Sequence, residues 1–260
     1  MPSPLETPTC RQHNMSTSAP LQGQVAIVTG GASGIGRAVG ELFAESGLAG
    51  LAVIDVVECD LTELDTEVVT GQFDVADADA VSGFISEVHD RFGRIDILVN
   101  NAGIAPVVPW SEVTEENWQR VLDVNLNGAF HCTRAAWDHM RDRQYGRIVN
   151  ISSVGAFLGS VSAHPAYGVS KAGLIALTKS LAKEGAADGI LVNAIAPGSI
   201  DTPMLESFGP EARVQYAEAA LLKRQASPKE LAESVVFLVS PASSYITGAT
   251  LHVNGGALLV

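Results

Sequence analysis

An α/β fold, built on one doubly wound parallel sheet with helices on both faces, is predicted by three features of the 260-residue chain. Short apolar runs alternate with helix-length segments. The runs are continuous rather than alternating, as in strands covered on both faces. A glycine-rich loop follows the first run and opens a helical pattern. Strand and helix repeating in this order mark a parallel sheet.

The elements follow in chain order. The opening "MPSPLETPTCRQHNMSTSAP" is rich in Pro, Ser and Thr, so residues 1–20 are read as a flexible tail, with Met15 as an alternative start to Met1. "QVAIVTGGASGIGRAVGELFAESG" then reads as strand, loop and helix. "LAVIDV", "IDILVNNAG", "GRIVNISS" and "GILVNAIAPG" repeat the strand pattern, and a short strand precedes Asp74. Helices fit at about 77–92, 115–143, 165–187 and 228–239. No composition break divides residues 21–260, which form one domain. Segment 199–225 is mixed, holds Pro203 and Pro210, lacks a clean strand, and is read as a flap over a site.

Composition narrows the partners. The 16 basic residues stand against 29 acidic ones, and the formal charge of −13 repels phosphate backbones and anionic membrane surfaces, so neither nucleic acid nor membrane is expected. No run reaches the roughly 18 apolar residues of a membrane span, and the first twenty residues lack a signal-peptide stretch. Cys10, Cys59 and Cys132 lie far apart without a CxxC pair, the pattern of free thiols in a reducing cytoplasm. His131 and His139 lack carboxylates at ligating spacing, so no metal is expected. Trp110, Trp118 and Trp137 are read as core or interface aromatics, and His164 as a loop histidine or a substrate contact.

The chemistry collects at the ends of the strands, where doubly wound sheets bind ligands. In "TGGASGIG", Gly30, Gly34 and Gly36 permit a tight turn and close approach of a pyrophosphate, which the helix N-terminus attracts. Asp55, 19 residues after Gly36, ends the second strand, where a carboxylate accepts the ribose hydroxyls of an adenosine and repels a 2′-phosphate. Ser33, just before "GIG", supplies no compensating cation, so NAD is favoured over NADP. Tyr167 and Lys171, in "YGVSK", share one face of a helix, and a cation beside a phenol lowers its pKa.

Together, "TGGASGIG", "NNAG" at 100–103, "NLNG" at 125–128, "YGVSK" and "APG" at 196–198 resemble the short-chain dehydrogenase/reductase family over roughly residues 21–256. The resemblance implies a Rossmann-type sheet and an active-site tetrad of Asn125, Ser153, Tyr167 and Lys171. Tyr167 would exchange the hydroxyl proton, Lys171 would depress the phenol and bond the nicotinamide ribose, and Ser153 would hold the substrate oxygen. Asn125 would position a water that links Lys171 to solvent. The implied cofactor contacts are Gly30, Ser33, Gly34, Ile35 and Gly36 in the loop, Asp55, and the Asp74–Val75 pair at the adenine. Asn101, Ala102 and Gly103, the tetrad's Tyr167 and Lys171, and Pro197, Gly198, Ile200 and Thr202 toward the nicotinamide complete the set. A homotetramer is implied, paired through the helices at 115–143 and 165–187 and through the last strand with its "GGALLV" end.

Two departures from the family pattern stand out. The serine lies fourteen residues before Tyr167 instead of thirteen: counting from "GRIVNISS" favours Ser153, whereas counting from Gly155 favours Ser152. The stretch between Asp55 and "FDV" at 73–75 is short and acidic, so its helix should be abbreviated. The leading expectation is an NAD-dependent enzyme interconverting a small apolar secondary alcohol and its ketone, with Arg213, Lys223 and Arg224 in or beside the flap. An NADP-dependent 3-oxoacyl-thioester reductase and a non-catalytic dinucleotide-binding regulator are the alternatives.

Overall fold

The computed structural model describes residues 19–159 and 163–260. The tail and the two candidate start methionines lie outside the described residues, apart from Ala19 and Pro20. Seven strands, β1 (Val25–Thr29), β2 (Gly50–Asp55), β3 (Glu67–Gln72), β4 (Ile97–Asn100), β5 (Gly146–Ile151), β6 (Ile190–Pro197) and β7 (Thr250–Val253), form one sheet. Their order is β3-β2-β1-β4-β5-β6-β7 and every pairing is parallel. The chain winds outward from β1 to β3 and returns on the other side at β4, so the order reverses between β1 and β4. The crevice beyond those two strand ends is where such a sheet takes a ligand.

The apolar runs are continuous because β1, β4 and β5 are buried along their whole length. On one face, Val39 and Phe43 of α1 (Gly34–Glu45) and Leu231 and Val235 of α9 (Pro228–Val239) pack on the sheet. On the other, α2 (Ala78–Phe92), α4 (Gly128–Asp142) and α6 (Pro165–Gly185) contribute Val81, Ile85, Cys132, Met140 and Ala182. Side chains fix the helix starts: Asp77 accepts the N–H groups of Asp79 and Ala80, and Ser227 and Glu230 form a capping box on α9.

The structure departs from the sequence reading in three places. No helix at all joins β2 to β3. Asp60 instead takes the Thr62 N–H and hydroxyl in a tight turn, and Leu61 fills the core position a helix would occupy. The helix expected at 115–143 is α3 (Glu115–Leu122), a π-helical segment at Asp123–Asn127, and α4. β3, the short strand expected before Asp74, and β7, the expected last strand, lie at the sheet edges, where most of their residues stay partly or fully exposed. Finally, 199–225 folds into α7 (Pro203–Glu206) and α8 (Pro210–Ala219), with Arg213 of α8 bonded to Asp201 at 2.7 Å.

Candidate active site

The crevice is shaped by the glycine loop. Gly30 has φ +67° and its N–H donates to the Ile54 carbonyl at 2.7 Å, which turns the chain sharply after β1. A Cβ on Gly36 would stand 2.1 Å from the Gly30 carbonyl oxygen, so α1 can begin beneath the loop only with glycine there. Thr29, which the sequence reading passed over, holds the opposite wall: its hydroxyl accepts the N–H groups of Asn101 and Ala102, each at 3.0 Å. Asn101 answers by donating to the carbonyls of Thr29 and Gly30. The loops after β1 and β4 are thus one bonded unit.

The resulting cleft opens to solvent and has a volume of about 270 Å³. Gly30, Ser33, Gly34, Ile35, Asp55, Asp74, Val75, Asn101, Ala102, Gly103 and Thr202 all line it. Asp55 is pinned at the end of β2, one carboxylate oxygen accepting the Ala32 N–H at 3.0 Å and the other the Val57 N–H at 3.2 Å. Asp74 accepts the Ala76 N–H and pairs with Arg120 of α3, a cleft-lining cation that no motif announced. Pro197, Gly198 and Ile200 stand outside the lining; the Gly198 N–H donates to the Val253 carbonyl, and Ile200 bridges to Ala226. Thr202 caps α7 and its methyl lies against Gly34. A dinucleotide fits this residue set: a glycine loop tight enough to admit a pyrophosphate, a fixed carboxylate at the second strand end, and an apolar side at Ile54, Val75 and Val124.

The tetrad gathers at the mouth of β5. Asn125 sits on the π-helical segment, wholly buried. Its amide oxygen accepts the Ile104 N–H at 2.7 Å, and its amide nitrogen donates to the Ile104 carbonyl and to the Ser170 hydroxyl. The side chain therefore ties the loop after β4 to α6. The two serines separate clearly: the Ser152 hydroxyl is buried and spent on the Lys171 carbonyl at 2.8 Å, whereas the Ser153 hydroxyl accepts the Gly155 N–H and lies with the Tyr167 ring against Gly155. Lys171 is buried and donates to the Ile151 carbonyl at 2.8 Å, with its ammonium 5.8 Å from the centre of the Tyr167 ring.

The electrostatics correct one expectation. Burial pushes the Tyr167 phenol above its ordinary value, helped by nearby Tyr216 of α8 and opposed by the Ser153 hydrogen bond; Lys171 does not depress it. Burial also draws Lys171 down to about 8. Both groups are driven toward their neutral forms because burial penalises charge, and here it outweighs the attraction between them. At neutral pH the phenol is protonated.

The remaining candidates fall away from the cleft. His131 donates to the Val75 carbonyl, and His139 stacks on His89 with ring centres 4.1 Å apart. Trp110 is 76% exposed and so belongs to no core. Arg213, Lys223 and Arg224 are paired with Asp201, Glu218 and Glu230. The sequence reading also missed a buried polar chain in which Asn100 donates to Thr133 and Asn150, and Asn150 to Thr178, locking β4 and β5 beneath the site.

A glycine-lined crevice at the reversal of a parallel sheet, with serine, tyrosine and lysine beside it, defines a nucleotide-dependent oxidoreductase of the Rossmann type. The family model described as enoyl-(acyl carrier protein) reductase matches residues 30–257, and the chain belongs to the short-chain dehydrogenase/reductase family. It is 39% identical to the 3-oxoacyl-[acyl-carrier-protein] reductase FabG of Thermotoga maritima, over 92% of this chain and 99% of that protein. To the acetoacetyl-CoA reductase of Paracoccus denitrificans it is 41% identical, over 91% and 99%. The ligand-free structure of the Thermoplasma acidophilum aldohexose dehydrogenase superposes with a TM-score of 0.83 at 33% identity, covering 92% of this chain and 95% of that one.

Proposed function

We propose that this oxidoreductase interconverts a 3-oxoacyl thioester and its 3-hydroxy form, using NAD(H), with Tyr167 exchanging the proton. The reading rests on one observation above all: Tyr167, with Ser153 and Lys171 beside its ring, stands next to a cleft whose second strand ends in a pinned carboxylate, Asp55. The relatives' names support the thioester over the small apolar alcohol that the sequence first suggested. Asp55, with Ser33 in place of a cation, supports NAD(H) over its 2′-phosphorylated form.

The nicotinamide cofactor, when bound, supplies or accepts the hydride. Ser153 orients the substrate carbonyl by hydrogen bonding, and Tyr167, held protonated by its burial, delivers a proton to that oxygen. Lys171, whose ammonium lies 5.8 Å from the centre of the Tyr167 ring, would hold the nicotinamide ribose, and Asn125 fixes the loop and helix that carry these groups. Segment 199–225 is the flap over the substrate. Val107, Phe157, Leu158, Met204 and Val214 are exposed and offer an apolar surface for an acyl chain. A compact uncharged ketone remains the second reading, because the flap cations are all paired with carboxylates. An absorbance assay across 3-oxobutanoyl-CoA, the same acyl group on a carrier protein, and small ketones separates these. Thioesters should give the highest kcat/KM; a small ketone turned over more efficiently would overturn the substrate assignment.

The enzyme works in the cytoplasm, the compartment its free Cys59 and Cys132 thiols suit, as a homotetramer. Half-exposed Phe130 on α4 and Val169 on α6 would meet their copies across one axis, and the exposed Leu259 and Val260 would lie on another. Light scattering should report four copies, and a monomer at micromolar concentration would refute the assembly.

A further inference from the structure

His164 lies three residues before Tyr167 and is wholly buried. It is the N-cap residue of α6, and its Nδ1 accepts the Ala166 N–H at 3.1 Å. Since a backbone N–H can only donate, that ring nitrogen carries no proton. The proton is therefore on Nε2, which donates to the Asn117 amide oxygen at 2.9 Å. Asn117 is in turn the capping-box residue of α3, its oxygen also accepting the Thr114 N–H. The His164 N–H donates to the Pro106 carbonyl, and its own carbonyl accepts the Tyr167 N–H at 2.8 Å. One imidazole thus joins the loop after β4, the start of α3 and the first turn of α6.

We infer that His164 is a positioning residue for the reaction: its neutral ring holds the first turn of α6 so that Tyr167 meets Ser153, and protonation of the ring releases that turn. A proton on Nδ1 would face the Ala166 N–H, two donors with no acceptor between them. The groups packed around the ring are Asn117 and Trp118 from α3, the Pro106 carbonyl, and Ala166 and Tyr167 from α6. Of these only Tyr167 titrates, and it does so above neutrality. Burial draws the His164 ring below its ordinary value, and no charged neighbour offsets this. The released form is therefore reached only as pH falls below the usual histidine range. The unfolded chain, with its histidine at about 6.5, protonates first, so the stability held by the neutral ring is full above that value and declines as pH drops toward the folded value.

This inference rests on Tyr167 being the proton donor, and the test keeps the two claims apart. His164→Asn preserves an acceptor for the Ala166 N–H but cannot titrate; His164→Ala removes that acceptor. At pH 8 the Asn variant should keep kcat within about threefold of wild type, and the Ala variant should lose about tenfold with the KM for NADH little changed. Wild type should show an acid limb in kcat that the Asn variant lacks. In wild-type protein the amides of Ala166 and Tyr167 should lose protection, relative to their intrinsic exchange rates at each pH, as His164 protonates, followed by NMR, a readout that needs no chemistry. An identical acid limb in wild type and His164→Asn, or amide exchange indifferent to His164 titration, would overturn the inference. A fully active Tyr167→Phe enzyme would sink the proposed mechanism instead, leaving the exchange result standing.

Discussion

Replacement of Tyr167 by phenylalanine is expected to lower turnover by at least about two orders of magnitude while NADH affinity stays within about threefold. The hydroxyl is the group that exchanges the proton, whereas the ring, packed beside Gly155 and Lys171, is reproduced by phenylalanine. Binding, read by NADH fluorescence, should therefore separate from chemistry, read by steady-state rate. Lys171→Ala should damage both, because its buried ammonium is tied to the Ile151 carbonyl and underlies the tyrosine ring. The pH dependence adds a sign. The Tyr167 phenol is raised above its ordinary value and Lys171 is drawn down to about 8, so reduction should hold through neutrality and decline as the pair loses its first proton around pH 8. That macroscopic value belongs to the coupled groups, not to either alone. A Tyr167→Phe enzyme at near wild-type rate would make the phenol a packing residue.

The second large effect concerns the cofactor. Catalytic efficiency with NADH should exceed that with NADPH by at least about tenfold, equivalent to about 1.4 kcal/mol of differential binding. Asp55 is fixed by two backbone N–H groups at the strand end, so its charge cannot swing away from a 2′-phosphate. Asp55→Ala combined with Ser33→Arg should narrow or reverse the ratio. Because the Ala32 N–H loses its acceptor, efficiency with NADH should also fall in the Asp55→Ala single variant. Equal efficiencies in wild type, or a ratio untouched by the double change, would show that Asp55 does not face the ribose.

The parts of the site that were legible in the sequence are those held by local pattern. Gly30, Gly34 and Gly36 follow an apolar run, and Tyr167 and Lys171 keep helical spacing, so strand, loop and helix placed them unaided. The parts that were not legible depend on distant partners. Asn100 and Asn150 sit inside apolar runs, and only pairing across the sheet reveals that they bond each other. Counting residues left Ser152 and Ser153 open, and the Lys171 carbonyl, 19 residues from Ser152, separates them. The π-helical turn at Asn125 leaves the apolar spacing of 115–143 nearly unchanged, so periodicity read one helix. The pKa of Tyr167 was misjudged because spacing reports the neighbouring cation and is silent about burial.

The most direct test of the central claim, NADH-dependent reduction of a 3-oxoacyl thioester with Tyr167 as proton donor, is isotope transfer. Purified enzyme would be given 3-oxobutanoyl-CoA and NADH deuterated at the transferable position, and the product examined by mass spectrometry. The account predicts a 3-hydroxybutanoyl thioester carrying one deuterium on the hydroxyl-bearing carbon with wild type, and at least about a hundredfold less of it with Tyr167→Phe. An unlabelled product, no product, or equal labelling by the two proteins would contradict it.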